Sequence, residues 1–131
     1  MEIKTGQVIS IYNILQDIID NNKDVDSSIK FKFLLTMNEL TNVVSNFEKM
    51  RNEKINELGK DTEIEDENGE KRIVKAIDED DVEARKNFSD TMNEIINSDI
   101  EVNIQKFKSD EIFNKGITSQ QLVCLLPIIE D

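Results

Sequence analysis

The sequence predicts a mainly helical α+β domain: an antiparallel pair of helices with one long helix, a β-hairpin plus a third strand, a third helix and a short C-terminal helix. Three observations favour this fold class. Apolar residues recur at helical spacing over residues 28–58. The dipeptide Asn68-Gly69 marks a hairpin turn, and residues 99–105 alternate between apolar and polar side chains.

The first helix is predicted over residues 7–21. Its apolar side chains recur at helical spacing, and they are Val8, Ile11, Tyr12, Leu15, Ile18 and Ile19. Thr5 or Gly6 is expected to cap it, after a short extended lead-in. A polar cluster ends the helix, and the short connection to the next helix predicts an antiparallel helical hairpin.

The longest predicted element is a helix over residues 28–58. One face repeats at helical spacing, and its members are Phe33, Met37, Leu40, Val44, Phe47, Ile55 and Leu58. The apolar face is broad over residues 33–50 and thins over residues 51–58. Gly59 is the expected C-terminal stop, because glycine adopts a positive φ without a Cβ clash.

Residues 61–75 are predicted to form an acidic β-hairpin. The dipeptide Asn68-Gly69 favours a two-residue type I′ turn, because both central positions of that turn need a positive φ. A loop of that length fixes the register of the two strands. The facing pairs that it predicts are Asp66 with Lys71, Glu65 with Arg72, and Ile64 with Ile73.

Three further elements are predicted in the second half of the chain. A helix is expected over residues 79–97, because carboxylates in a first turn suit the positive end of the helix dipole. Residues 99–105 are expected to form a half-buried strand that pairs with the hairpin in a three-stranded sheet. A last helix is expected over residues 119–126, where Thr118 and Gln121 fit a capping box and the only proline then ends the helix.

Composition and charge exclude several classes of function. The 131 residues are expected to form one domain, 1–131. The net charge of −12 disfavours nucleic acid and anionic membrane as direct partners, because both bind clustered Lys and Arg. No apolar run is long enough to span a membrane, and no signal peptide is evident. With a single cysteine and therefore no internal disulfide, the expected location is cytoplasmic.

No constellation of catalytic or cofactor-binding residues occurs, so the protein is expected not to be an enzyme and to use no cofactor or metal. The absence of histidine removes the commonest general base and zinc ligand. No glycine-rich phosphate-binding motif is present. A calcium loop starting at Asp66 is rejected, because its glycine falls too early. Cys124 lies in an apolar run and is expected to be buried.

The most function-like feature is the negative charge of residues 61–83. This segment holds eleven carboxylates against three cations, a net charge of −8. A solvated acidic edge is the simplest interpretation, and residues 78–83 also have the composition of a divalent-cation site. The sharper hypothesis is a surface that docks on a basic protein. Its predicted contact residues are Glu63, Glu65, Asp66, Glu67, Glu70, Asp78, Glu79, Asp80, Asp81 and Glu83.

Three stretches carry a resemblance to a known family. They are Ile-Tyr-Asn at residues 11–13, Phe-Lys-Phe-Leu-Leu at residues 31–35, and residues 122–129 after Thr118. Together they resemble small, uncharacterised proteins encoded by phages and prophages of low-GC Gram-positive bacteria. The resemblance implies no activity and no catalytic residue. It implies an accessory, assembly or host-interaction role in a phage.

Three hypotheses about function are therefore open. The first is a non-enzymatic phage-encoded protein that occludes a host or anti-phage defence protein through its acidic surface. The second is a virion structural or assembly factor that forms homo-oligomers through the apolar face of the long helix, at Phe33, Met37, Leu40, Val44 and Phe47. The third is a protein that sequesters a small ligand in a pocket between helices.

Overall fold

The computed structural model describes residues 1–130, and its fold is mainly helical α+β, as predicted. The elements in chain order are β1 (Glu2–Lys4), α1 (Thr5–Asn21), α2 (Ser27–Leu58), β2 (Lys60–Glu65), β3 (Lys71–Ala76), α3 (Val82–Ile96), β4 (Asp99–Glu101), β5 (Phe107–Lys108), α4 (Ser109–Ile112), α5 (Ser119–Leu125), a 3₁₀ helix (Leu126–Ile128) and β6 (Ile129–Glu130). The predicted long helix is confirmed as α2, which begins one residue earlier than expected.

Tertiary contacts divide the chain into two compact units, where the sequence predicted one domain. Unit 1 consists of Met1–Ser45 and of the described residues from Ile96 onward. Unit 2 consists of Asn46–Ile95. The boundary falls inside α2, so the first part of this helix belongs to unit 1 and the second part to unit 2.

Unit 1 contains a hydrophobic core built around α1 and the first part of α2. The buried apolar residues of these two helices follow the predicted spacing, and they are Val8, Ile11, Leu15, Ile18, Ile29, Phe33, Met37, Leu40 and Val44. The ring of Phe33 meets that of Phe107 edge-on, with 5.1 Å between centroids. Burial of aliphatic and aromatic side chains of this size is the main stabilising term of such a core.

The start of α1 differs from the prediction. Thr5 is the first helical residue, and Lys4 occupies the N-cap position. The Lys4 backbone N–H donates to Oε1 of Gln7 at 3.1 Å, which is one half of a capping box. The Thr5 hydroxyl instead lies 3.0 Å from that of Ser98. The Thr5 side chain, which was expected to cap the helix, therefore forms a tertiary contact instead.

The strand predicted over residues 99–105 is shorter than expected and has another partner. Its regular part ends at Glu101, and it pairs antiparallel with β1, with Ile3 opposite Ile100. The Met1 amino group and the Val102 carbonyl extend this pairing with a 2.7 Å hydrogen bond. The prediction of a three-stranded sheet with the hairpin is therefore wrong, because β1 is the strand that pairs with β4. The predicted alternation of buried and exposed side chains persists through Ile104.

The predicted hairpin is present, but its register is wrong by one residue. Ile64 faces Arg72 and Glu65 faces Lys71. A shift of one residue places Ile64 and Ile73 on opposite faces of the two-stranded ribbon. Ile64 is accordingly half-buried, whereas Ile73 is 71% exposed.

A longer turn than predicted causes the register shift. Gly69 has a positive φ of 79°, but Asn68 does not, so the turn is not of type I′. The Gly69 N–H donates to the Asp66 carbonyl at 3.0 Å, as in a type I turn followed by a left-handed glycine. The Asp66 carboxylate accepts from the N–H groups of Asn68 and Glu70 at 2.9 and 2.8 Å. These bonds stabilise a loop of three residues in place of two.

Gly59 is needed at the end of α2 because a side chain would not fit there, and not because its backbone angle is unusual. Gly59 follows the helix as predicted, but its φ is not positive. A Cβ at this position would lie 2.5 Å from the Ile55 carbonyl oxygen and 3.0 Å from the Ala76 backbone nitrogen. Gly59 therefore lets the chain after α2 approach the end of β3 within unit 2.

The remaining elements combine confirmed and corrected predictions. Helix α3 begins at Val82 rather than at residue 79, because residues 78–81 form a turn. The capping box of α5 is confirmed, since the Gln121 N–H donates to Thr118 Oγ1 at 3.1 Å. Cys124 is exposed, not buried. The seven residues of α5 direct Leu125 into the core, which leaves Cys124 on the solvent side.

Candidate interaction surface of unit 2

The negative charge of residues 61–83 is concentrated at the two ends of β3. Strands β2 and β3 together carry three acidic and four basic side chains, a net charge of +1. The acidic excess lies in the turn before β3 and in the segment after it. We call these the turn cluster (Asp66, Glu67 and Glu70) and the loop cluster (Asp78, Glu79, Asp80, Asp81 and Glu83).

The length of β3 separates the two clusters. The strand has six residues, and at about 3.3–3.4 Å per residue it spans about 20 Å. Carboxylates that are neighbours in the sequence thus form two groups in space. A protein interface of about 800 Å² per partner is roughly 30 Å across, so its dimensions exceed this separation.

Three of the ten predicted contact residues accept hydrogen bonds from nearby backbone. They are Asp66, in the turn described above, and Asp78 and Asp81 in the loop cluster. Asp78 accepts from the N–H two residues later at 3.0 Å. Asp81 accepts from the Ala84 N–H at 3.0 Å, as an N-cap residue of α3 does. These carboxylates shape the turns, so their substitution would alter local structure as well as charge.

The other contact residues differ in how far they are already paired. Glu63 lies 3.9 Å from the Lys71 ammonium in the hairpin ladder, next to a 2.8 Å pair between Asp61 and Lys75. Such exposed pairs contribute at most about 1 kcal/mol. The other six are exposed to solvent, and they are Glu65, Glu67, Glu70, Glu79, Asp80 and Glu83. The loop cluster, with five carboxylates in six residues, is the denser group.

One further carboxylate, which the sequence did not indicate, lies near the loop cluster. Glu57, near the end of α2, lines the same shallow depression of unit 2 as Asp81 and Glu83. It also pairs with Lys54 at 3.2 Å. Glu57 lies more than twenty residues earlier in the chain, so no local sequence pattern connects it with the cluster.

The structure also bears on the divalent-cation interpretation of residues 78–83. Among residues 1–130, no group of three or more His, Cys, Asp or Glu side chains is placed to hold a metal ion. The carboxylates of Asp78 and Asp81 are directed to backbone N–H groups instead. The loop cluster is therefore a group of negative charges at the start of α3.

The apolar face proposed for oligomerisation is occupied within the chain itself. Phe33, Met37, Leu40 and Val44 are buried, with exposures of 0%, 4%, 0% and 8%. Only Phe47 is half-exposed. Self-association through this face would first require the core of unit 1 to open.

Comparison of the chain with protein-family models, with curated proteins and with solved structures found no match. None of the helices within residues 1–130 combines the length and the hydropathy that a membrane span requires.

Proposed function

We propose that this is a non-enzymatic binding protein whose loop cluster contacts a basic surface of another protein. The observation that carries the proposal is the exposure of Glu79, Asp80 and Glu83 in a cluster at the start of α3, where Asp81 caps the helix. Exposed charges of one sign accelerate encounter with a partner of opposite sign and exclude partners of like sign. The turn cluster is a second, separate contact.

The proposed partner is a host or anti-phage defence protein. This part of the proposal rests on the resemblance to phage-encoded proteins, which favours a host-interaction role. A protein without a catalytic site acts on such a partner by covering a functional surface. A basic surface that normally binds nucleic acid would fit, because it is complementary to a row of carboxylates.

The test compares three charge-reversal variants that each change the net charge by the same amount. The first alters the loop cluster by Asp80→Lys with Glu83→Lys. The second alters the turn cluster by Glu67→Lys with Glu70→Lys. The matched control alters the exposed part of α2 by Glu48→Lys with Glu53→Lys. All three leave intact the carboxylates that hold the turns.

The measurement is the dissociation constant for a partner isolated from host lysate, at several salt concentrations. The loop-cluster variant is expected to bind about tenfold or more weakly and with a smaller salt dependence, since contacts between exposed charges are screened by salt. The control is expected to bind within about twofold of the wild type. An equal loss in the control would show that only net charge matters, and unchanged binding of the loop-cluster variant would exclude the proposed surface.

A further inference from the structure

Unit 2 contains an open cavity with an apolar floor that shares one residue, Glu79, with the proposed protein contact. Its volume is about 390 Å³, within the range of about 300–1,000 Å³ that is typical of small-molecule sites. Half-buried side chains from three parts of the unit form the floor: Ile55 of α2, Ile77 after β3, and Phe88 of α3. A concave apolar floor with a few polar groups at its edge is the usual form of a ligand pocket.

Two local features of the sequence assemble this cavity. The missing side chain of Gly59 allows the backbone of Ala76 to approach the end of α2. The N-cap at Asp81 sets the start of α3. Arg85 and Phe88 both lie in this helix, and because they are three residues apart they share one side of it. An aromatic ring and a guanidinium therefore line the same space.

The charge at the edge of this cavity is opposite in sign to that of its surroundings. Unit 2 has a net charge of −7, with sixteen carboxylates and nine cations. The cavity lining nevertheless includes two cations, Lys75 and Arg85, and one carboxylate, Glu79. The surrounding charge disfavours a ligand with several negative charges, whereas the local pair of cations favours one with a single negative charge.

Arg85 is the cation at this edge that a ligand can engage. Lys75 is already held by Asp61 at 2.8 Å. Arg85 donates one hydrogen bond from Nη1 to the carbonyl oxygen of Glu79 at 3.1 Å, and within the described chain it forms no ion pair with a carboxylate. A guanidinium has five N–H donors, so donors remain for an anion.

We propose that this cavity binds a small molecule that combines an apolar body with a single anionic group. The body packs against Ile55, Ile77 and Phe88, and the anion accepts hydrogen bonds from Arg85. The hydroxyl of Ser89, which also lines the cavity, is a second donor at the edge. Selectivity arises from contact with the guanidinium, because the field of unit 2 as a whole repels anions.

A pair of fluorescent probes tests the two parts of this proposal separately. 8-Anilinonaphthalene-1-sulfonate has an apolar body with one sulfonate, and N-phenyl-1-naphthylamine has the same body without the charge. Fluorescence titration is expected to show saturable binding of the sulfonate probe with one site per chain. Replacement Arg85→Gln is expected to weaken this probe about tenfold, the usual effect of losing a charge-assisted hydrogen bond, and to change the neutral probe by less than about twofold.

Two further variants separate the cavity from general charge and from loss of folding. Lys86→Gln removes the same charge one position along α3, outside the cavity lining, and is expected to leave both probes unaffected. Ser89→Trp adds bulk at an exposed lining position without removing a buried contact, and it is expected to block both probes. Circular dichroism confirms that each variant keeps its helices.

Three results would overturn the proposal. One is the absence of saturable binding of the sulfonate probe to the wild type. Another is unchanged binding of this probe in both Arg85→Gln and Ser89→Trp. The third is equal weakening of the sulfonate and neutral probes by Arg85→Gln, which would show that the guanidinium does not recognise the anion. The loop-cluster variant Asp80→Lys with Glu83→Lys is expected to retain probe binding, so the cavity and the protein contact succeed or fail independently.

Discussion

The two units of this protein hold their shape by different means. Among residues 1–130, every buried apolar residue except Ala84 belongs to unit 1. Unit 2 has half-buried side chains, a hairpin ladder and the close backbone approach at Gly59 in place of a closed core. It is also the more acidic, with a net charge of −7 in 50 residues against −5 in the rest of the chain.

Unit 1 therefore contains most of the buried apolar area that stabilises the protein, and unit 2 presents the charged surface and the cavity. Unit 1 gains most from the transfer of apolar area out of water, and its segments are distant in sequence. Unit 2 is a continuous stretch of chain that exposes charges and a cavity, and few buried contacts hold it together. Regions with few buried apolar contacts open more readily than a core, and binding surfaces are commonly found there.

The largest expected effect comes from truncation of the core of unit 1. Phe33 has no exposed surface, and Phe33→Ala is expected to cost about 3–5 kcal/mol in the free energy of unfolding. The matched change in unit 2, Phe88→Ala, removes a half-buried ring and is expected to cost about 1–1.5 kcal/mol. Urea denaturation followed by circular dichroism measures both. Equal costs would show that unit 2 has a core comparable to that of unit 1.

The same contrast explains which parts of the fold could be predicted from the sequence. Periodicity identifies α2 and the buried face of α1, because both helices pack one apolar stripe against a core. It does not reveal that β4 pairs with β1, since partner choice depends on a contact between residues about one hundred positions apart. The short strands β5 and β6 were missed for the same reason, because two residues are too few for a period to be detected.

The candidate site was predictable in composition but not in arrangement. The ten acidic contact residues could be selected from the charge of residues 61–83 alone. Their division into two clusters follows from the length of β3, which places one group before the strand and the other after it. The cavity could not be predicted, because Ile55 and Phe88 come from separate helices and neither belongs to a binding motif.

An intermediate effect is expected at Gly59, where unit 2 depends on backbone proximity. Gly59→Ala would place a methyl group 2.5 Å from one backbone oxygen, and the strain is expected to cost about 1–3 kcal/mol. Hydrogen exchange is expected to show faster opening of β2 and β3, with little change in α1. An alanine at the exposed helical position Asn52 is the control, and it should be nearly neutral. Equal acceleration in α1 would show that the two units open together.

The smallest expected effect concerns Glu111, a carboxylate of unit 1 that is held by an ion pair with Lys32. The Lys32 ammonium donates to Glu111 at 2.7 Å and the Lys108 backbone N–H donates at 3.0 Å, which together lower the pKa of Glu111 below its ordinary value of 4.5. The folded state thus favours the ionised form. Its contribution to stability is complete above the ordinary pKa and is lost as the pH falls through the lowered one.

Glu111→Gln is therefore expected to reduce stability at pH 7 by at most about 1 kcal/mol, with a difference from the wild type that shrinks as the pH falls below the ordinary pKa of 4.5. Urea unfolding at a series of pH values measures this difference. The control is Glu67→Gln in the turn cluster, an exposed side chain that forms no ion pair within residues 1–130, and at pH 7 it should unfold at the same urea concentration as the wild type. A difference for Glu111→Gln that stays constant as the pH falls, down to the lowest pH at which the protein remains folded, would mean that the glutamate acts through packing rather than through its charge.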